Sequence, residues 1–261
     1  MMKRLLMTFL FLGSCWSPLA SAEPPIVLTP VTNNAFRAGE KLTFQIKYEF
    51  VGAGIATLEV QEGPVLNGRP TLNVTSTAKS NATIDKVFRV RDFNGAAIDR
   101  DSLVTIHFHQ NLKEGKYQVV RNTAFDYANR LYRYEKIYKG KTTVRTGALT
   151  QPVQDILSSF FVARTLPLEL GKEYAITVFS DQKVYPLVVR VHSKLETLKL
   201  AAGKFECIRI EPEVHGDAIF KAREGSKMTI WLTNDVRHMP VLIRSKVSVG
   251  AFDAELTDFV N

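Results

Sequence analysis

The most prominent feature of this sequence is a regular alternation of apolar and polar residues. The segment from Glu40 to Phe50 alternates without a break over its length. A period of two gives an extended strand one buried and one solvent-facing side. Similar segments recur as far as Phe259, separated by turn signals such as Asn67-Gly68 and Lys139-Gly140. Such a chain must bury its apolar faces in a sandwich, a barrel or a curled sheet rather than in alternating strands and helices.

One segment departs from this alternation and predicts the main helix. From Pro152 to Leu166, apolar residues follow the three-and-four spacing of a helical stripe. Pro152 suits a first helical turn, and Pro167 ends the pattern. A second, short helix is expected between Asn81 and Arg91. We therefore expect an all-β, mainly antiparallel fold, a single curled sheet or barrel-like, with one main helix around residues 152–166.

The N-terminus has the three parts of a secretory signal peptide. Lys3 and Arg4 precede the apolar stretch from Leu5 to Leu12, and Ala20-Ser21-Ala22 provides a small-residue site for cleavage after Ala22. The apolar stretch is too short to span a bilayer, and no later segment is long enough, so no transmembrane span is expected. We expect residues 1–22 to be a signal peptide, 23–34 an extended leader, and 35–261 a single β-rich domain in the periplasm.

A competing interpretation of the same segment is lipidation. The stretch Leu12-Gly13-Ser14-Cys15 resembles a lipobox, in which Cys15 is acylated and the protein becomes an outer-membrane lipoprotein. In both cases Cys207 is left without an intramolecular partner, and we expect a buried, inert thiol.

Charge and export together narrow the class of partner. The chain carries a formal net charge of +8, and removing Lys3 and Arg4 lowers it to +6. A basic protein outside the cytoplasm meets anionic lipid headgroups and acidic glycans. We therefore expect lipid, anionic glycan or another envelope protein as partner, and not nucleic acid.

The sequence contains no recognised catalytic, metal or cofactor motif. The glycine-flanked serine of hydrolases, the zinc-protease motif and the nucleotide-binding loops are absent. His107 and His109 share one strand face, but no third ligand follows at a suitable spacing, so a solvated face is expected. We expect no catalytic residue, no metal site and no cofactor, which favours a non-enzymatic protein.

The candidate ligand-binding residues come from two charged segments. In the first, a predicted strand places aromatic and cationic side chains on one face, where they can stack on a sugar or hold an anionic headgroup. A sheet surface covered by amphipathic side chains is the alternative. The second segment holds two arginines that can bind a carboxylate or phosphate, or pin the short helix through an internal ion pair. The candidates are Arg130, Tyr132, Tyr134, Lys136 and Tyr138 in the first segment, and Arg89 and Arg91 in the second.

Several motifs give the chain a wider resemblance. They are Phe36-Arg37-Ala38-Gly39-Glu40-Lys41-Leu42, the Gly52-Ala53-Gly54 turn with Ala56–Val60, Val153-Gln154-Asp155, Arg164–Pro167, Trp231–Asp235 with Pro240-Val241, and Ala254-Glu255-Leu256. The chain thereby resembles a family of exported bacterial proteins known only as a domain of unknown function. It departs from that pattern at Thr105 and Ile156, where a proline is expected.

This resemblance implies a curled, barrel-like β fold in the periplasm and no established activity. The leading hypothesis is non-enzymatic binding of a lipid-like or glycan ligand, with the helix from Pro152 covering one mouth of a curved sheet. The alternatives are a structural or assembly module docking on another envelope protein, and a cell-wall hydrolase whose site the linear sequence does not reveal.

Overall fold

A computed structural model describes residues 23–214, 227–246 and 250–260. Ala22 and Cys15, and with them the predicted cleavage and lipidation sites, lie outside these residues. The elements are β1 (Lys41–Tyr48), β2 (Val51–Glu62), β3 (Thr71–Ser80), α1 (Ala82–Asp85), β4 (Arg91–Asp99), β5 (Thr105–Glu114), β6 (Tyr117–Asp126), β7 (Leu131–Tyr138), β8 (Lys141–Ala148), α2 (Ile156–Ala163), β9 (Glu173–Ser180), β10 (Lys183–Leu200), β11 (Gly203–Val214), β12 (Lys227–Thr233), β13 (Pro240–Lys246) and β14 (Ala251–Val260).

All the strands form one antiparallel sheet with the order β8-β7-β6-β5-β4-β3-β2-β1-β14-β13-β12-β11-β10-β9. Among the described strands, every neighbouring pair joins strands that follow each other in the chain, except β1 and β14, which pair from Lys41 with Val260 to Tyr48 with Phe252. The sheet therefore consists of two runs of hairpins joined through the first and last strands. This confirms the predicted all-β, barrel-like fold.

Helix α2 lies inside the curl and contacts both runs of strands. Leu157 and Phe161 belong to the apolar core that contains Val74 of β3 and Ile98 of β4. Ala163 belongs to the second core, with strand residues of β9 to β12 such as Val189. An apolar stripe buried on both sides places the helix at the base of the concave face.

The main helix is shorter than the sequence predicts. It begins at Ile156, and Asp155 is its N-cap, accepting hydrogen bonds from the backbone N–H groups of Leu157 (2.7 Å) and Ser158 (3.1 Å). Pro152 is therefore not in the first helical turn. The reason is tertiary, because Gln154 forms a parallel bridge to Val178 of β9 and so must be extended.

The two end strands of the sheet, β8 and β9, are not hydrogen-bonded to each other. Near the base of the curl, Phe179 of β9 packs against Phe125 and Tyr132, with ring centroids 5.1 and 4.6 Å apart. The extended segment before α2 adds a link, because the N–H of Thr105 donates to the carbonyl oxygen of Val153 at 3.3 Å. The sheet is thus a barrel that is joined at its base but not closed by a strand pair.

A buried ion pair ties the helix to the first strand. The Arg164 guanidinium, fully buried, donates to both carboxylate oxygens of Glu40, at 2.6 and 2.8 Å. It also donates to the carbonyl oxygens of Ala35 (2.9 Å) and Arg237 (3.2 Å). Two of the motifs that carry the family resemblance therefore meet at one charged contact in the core.

Three local predictions differ from the structure. The first hairpin turns at Glu49, which has a φ of 52°, and Gly52 and Gly54 lie within β2. Gly54 is needed there because a Cβ would stand 2.2 Å from the carbonyl oxygen of Lys79. The short helix α1 covers four residues only, and the two strands that alternation predicts over Val184–His192 and Glu196–Leu200 are joined in β10, with a bulge between Val191 and Leu195.

Cys207 is fully buried and free. Burial raises the pKa of its thiol to about 11, which keeps the sulfur protonated and unreactive at neutral pH. The predicted burial of this thiol is confirmed, and its inertness stays a prediction.

Candidate cavity site

A cavity of about 1150 Å³ lies between the two runs of strands, above α2. One wall is formed by β2 to β5 and the other by β10 to β13, while Ile156, Leu157 and Phe160 of α2 form the base. The volume slightly exceeds the roughly 300–1,000 Å³ of typical small-molecule sites. The curl of the sheet therefore leaves a large space in the core rather than filling it.

Strands β3 to β6 carry a row of polar side chains, of which those on β3, β4 and β5 line the cavity. Ser76, Asn94, Gln110 and Arg121 are direct cross-strand neighbours, so all four project from the same face of the sheet. Gln110 donates to the side-chain oxygen of Asn94 at 3.0 Å, and Arg121 donates to the side-chain oxygen of Gln110 at 3.5 Å. We call these four residues the polar row.

Arg121 ends the polar row without a direct ion pair in the described part of the chain, although its charge acts on the Glu114 carboxylate. It donates to the hydroxyl of Tyr117 at 2.9 Å, and its buried Nε–H has no acceptor among the described residues. Within the same described part of the chain, no carboxylate lies within 4.0 Å of it. A guanidinium with an unused donor favours an anionic or hydroxyl group nearby.

The facing wall is apolar at the same depth. Ile210, Ile230 and Ile243 are direct cross-strand neighbours on β11, β12 and β13, and all three line the cavity. We call them the apolar row. The cavity thus has one polar side and one apolar side, with an apolar base.

The mouth of the cavity lies away from α2 and is charged. On β5 the concave face changes from Phe108, which packs in the core, through Gln110 to Glu114 at the strand end. At ~3.3 Å per residue this spans ~20 Å. Glu114 meets Asp92 there, and burial together with the Asp92 carboxylate raises the pKa of Glu114.

At the cavity mouth, the opposite wall carries an acidic side chain that is paired with basic ones. Glu211 forms ion pairs with Lys227 (2.6 Å) and with His192 (2.9 Å). Lys246, at the end of β13, is exposed and also lines the cavity.

The first candidate segment lies on the concave face beside the polar row. Lys136 of β7 is the direct neighbour of Arg121, so Tyr132, Tyr134 and Tyr138 share its face. Tyr134 is buried, Tyr132 packs on Phe179, and the Lys136 ammonium lies 5.4 Å from the Tyr138 ring centroid.

The other candidates lie elsewhere. Arg130 precedes β7 and pairs with Glu23 at 2.8 Å. Arg91 holds Asp85 of α1 at 2.5 Å, as the internal ion-pair alternative predicts. Arg89 is exposed at the mouth end. The structure therefore brings Lys136 and the tyrosines together, while the arginines are dispersed, and the cavity is lined by other residues.

The groups that catalysis or metal binding would use have structural partners. Ser158 and Thr105 bond each other at 2.7 Å, and both contact Asp155 in the cap of α2. His109 is bonded to Asn122 at 2.7 Å on the convex face. Among the described residues, no group of three or more His, Cys, Asp or Glu side chains has metal-binding geometry.

Sequence reasoning missed the cavity residues because their partners come from distant strands. A signal does exist within single strands. On one face of β5, the order Phe108, Gln110, Leu112, Glu114 mixes polar with apolar residues, which is not expected for a strand face that lies wholly on a solid core.

One of the solved structures to which the chain is similar supports this fold. The chain is similar to a beta-barrel-like protein of the domain of unknown function DUF1849 from Brucella abortus, with 10% identity, TM-score 0.57, and coverage of 90% of this chain and 98% of that chain. A candidate exported protein with a YmcC-like fold from Bacteroides fragilis gives 11% identity and a TM-score of 0.32, covering 90% and 100%. A candidate lipoprotein from Parabacteroides distasonis gives 9% identity and a TM-score of 0.30, and the match covers 91% of this chain and 100% of that chain.

The sequence comparisons identify the family. No curated protein matches the chain. None of the helices in the described part of the chain is both long and apolar enough to cross a membrane. The family model for proteins of unknown function DUF3108 matches residues 43–257, and the chain therefore belongs to this family.

Proposed function

We propose that the protein binds a lipid-like amphiphile in its cavity, without catalysis, in the bacterial cell envelope. The observation that carries the proposal is the cavity with an apolar row facing a polar row. An acyl chain would lie against Ile210, Ile230 and Ile243, and the polar part would face Asn94 and Gln110, with Arg121 as the next cross-strand neighbour of Gln110.

The apolar side of the cavity offers a sufficient driving force for binding an acyl chain. Burying each methylene of an acyl chain contributes ~0.8 kcal/mol, so ten of them contribute ~8 kcal/mol before the costs of association. The polar row adds orientation, because its amides and guanidinium would lose water without compensation if an apolar group covered them.

The lining favours a lipid over a glycan. Sugar binding sites use aromatic rings as stacking platforms. Phe160 of α2 is the one aromatic residue among the described residues that line the cavity. The tyrosines of β7 lie beyond Arg121, where they can contact a headgroup but not the apolar part of the ligand.

The paired acids at the mouth do not fit a glycoside hydrolase. Such enzymes hold two carboxyl groups on opposite sides of the scissile bond, at least ~5 Å apart. Glu114 and Asp92 instead lie on the same wall, where the Asp92 carboxylate helps to raise the pKa of Glu114. A docking module with a filled core is also less well supported, because the core contains the cavity.

Binding of a fluorescent fatty acid, with mass spectrometry of lipids extracted from the purified protein, tests the proposal. Met228→Trp places a bulky ring in the cavity and is expected to weaken binding at least about tenfold, or ~1.4 kcal/mol. Thr229→Trp is the matched control, because the adjacent residue of β12 projects to the other face. A protein without extracted lipid that also fails to bind the fatty acid would refute the proposal.

A further inference from the structure

Four connected turns surround one side of the cavity mouth. The N–H of Ala251 donates to the Glu49 carboxylate at 2.8 Å, which joins the β13–β14 turn to the β1–β2 turn. The Asn81 side-chain amide donates to the carbonyl oxygen of Gly52 at 2.7 Å. The N–H of Gly115 donates to the carbonyl oxygen of Arg89 at 2.8 Å. We call the residues 49–52, 81–89, 115–116 and 250–251 the mouth rim.

The mouth rim lies at the cavity entrance because it borders the mouth residues directly. Asp92 follows Arg91 at the start of β4, and Glu114 immediately precedes the turn at Gly115. Both acids line the cavity. A surface that contacts the mouth rim therefore contacts the entrance.

Large apolar side chains on the mouth rim point into solvent. Phe50 is 94% exposed and Val87 is 88% exposed, while Val51 and Phe88 are more than half exposed. These side chains are held by the hydrogen bonds between turns rather than by a core. Exposed apolar groups on fixed turns at the entrance of a binding site are typical of interaction surfaces.

Exposed cations outnumber exposed acids beside these apolar groups. Lys86, Arg89 and Lys116 are exposed, and in the described part of the chain none of them has a carboxylate within 4.0 Å. The acids of the mouth rim are engaged, since Asp85 pairs with Arg91 and Glu49 accepts from Ala251. Apolar tips flanked by free cations match the interface of an anionic bilayer, where the apolar groups enter the acyl boundary and the cations meet the headgroups.

We propose that the mouth rim docks on the surface of an anionic phospholipid membrane, so that the cavity opens towards the lipid. This inference adds a partner to the proposed function and rests on it only for the direction of ligand transfer. The docking itself follows from Phe50, Val87 and the cations around them.

Sedimentation with vesicles tests docking separately from ligand binding. The protein is expected to sediment with vesicles of phosphatidylcholine and phosphatidylglycerol, less at high salt, and much less with phosphatidylcholine alone. The double variant Phe50→Ser, Val87→Ser is expected to bind on the order of tenfold more weakly or worse, since burying one such side chain already contributes that much. The double variant Lys86→Gln, Arg89→Gln should bind anionic vesicles roughly fivefold more weakly for each charge removed.

The opposite end of the barrel provides the matched control. Val65 and Val236 are exposed to 67% and 73% there, so Val65→Ser, Val236→Ser removes a similar apolar area away from the mouth. The control should sediment like the unchanged protein. All variants should bind the fluorescent fatty acid equally, because none of the changed residues lines the cavity.

Two results would overturn the inference. One is equal sedimentation of the mouth-rim variants and the unchanged protein, and the other is no preference for anionic vesicles. Either result combined with intact fatty-acid binding rejects docking alone, whereas vesicle binding without fatty-acid binding rejects the proposed ligand alone.

Discussion

The buried pair of Arg164 and Glu40 allows a quantitative prediction of stability. Glu40→Gln preserves the shape of the side chain but removes the charge that accepts from Arg164 at 2.6 and 2.8 Å. The guanidinium then stays in the core with only the carbonyl oxygens of Ala35 and Arg237 as full acceptors. We expect the variant to fold but to be markedly less stable.

The size of the effect follows from the burial of both partners. Their side chains are 0% and 4% exposed. Removing one member of a buried pair costs ~3–5 kcal/mol, because the other charge remains without solvent or counterion. For a chain of this size each kcal/mol lowers the melting temperature by ~2–4 °C, so a decrease of ~6–20 °C is expected.

Thermal and urea unfolding followed by circular dichroism measure the change. Glu59→Gln is the control, because Glu59 makes an ion pair with Lys41 at a similar distance, 2.9 Å, on the surface. An exposed pair contributes ~0–1 kcal/mol. If Glu40→Gln and Glu59→Gln destabilise equally, the reasoning from burial is wrong.

Three further predictions concern single groups. Cys207 should resist thiol reagents at pH 8 in the folded protein and react on unfolding, because burial raises its pKa to about 11; rapid labelling of the native protein would contradict this. The carboxyl of Asp85 should titrate at a pKa of about 2 in NMR, because Arg91 and Ser80 hydrogen-bond to its ionised form. Its contribution to stability should be complete above pH ~4 and fall as the pH drops towards 2, and Arg91→Gln should return the pKa towards its ordinary value. Asp155→Ala should destabilise by ~1–2 kcal/mol or more through loss of the α2 cap, whereas Asp155→Asn keeps an acceptor and should cost less, as chemical denaturation will measure.

The fold could be predicted from the sequence because its pairing is local. Thirteen strand pairs make the sheet, and all except β1 with β14 join strands that follow each other in the chain. Alternation locates such strands and turn residues separate them, so the curled sheet follows without knowledge of distant contacts. The pairing of β1 with β14 carries no local signal.

The errors arose where distant contacts decide the backbone. Pro152 fits a helix start by local rules, but the bridge from Gln154 to Val178 keeps that segment extended. Gly54 looks like a turn residue, but it lies in a strand because Lys79 approaches it closely. The cavity could not be predicted for the same reason, since its two walls come from strands that are far apart in the sequence.

The unpaired ends of the sheet have a consequence for the width of the barrel. In a closed barrel, strand number and stagger fix the radius. Here the seam between β8 and β9 has no ladder, and the described contacts across it are those of Phe179 with Phe125 and Tyr132 and the bridge at Gln154, all near the base. Among the described residues no strand ladder therefore fixes the girth at this seam, so a bulkier occupant would not require any strand pair to break.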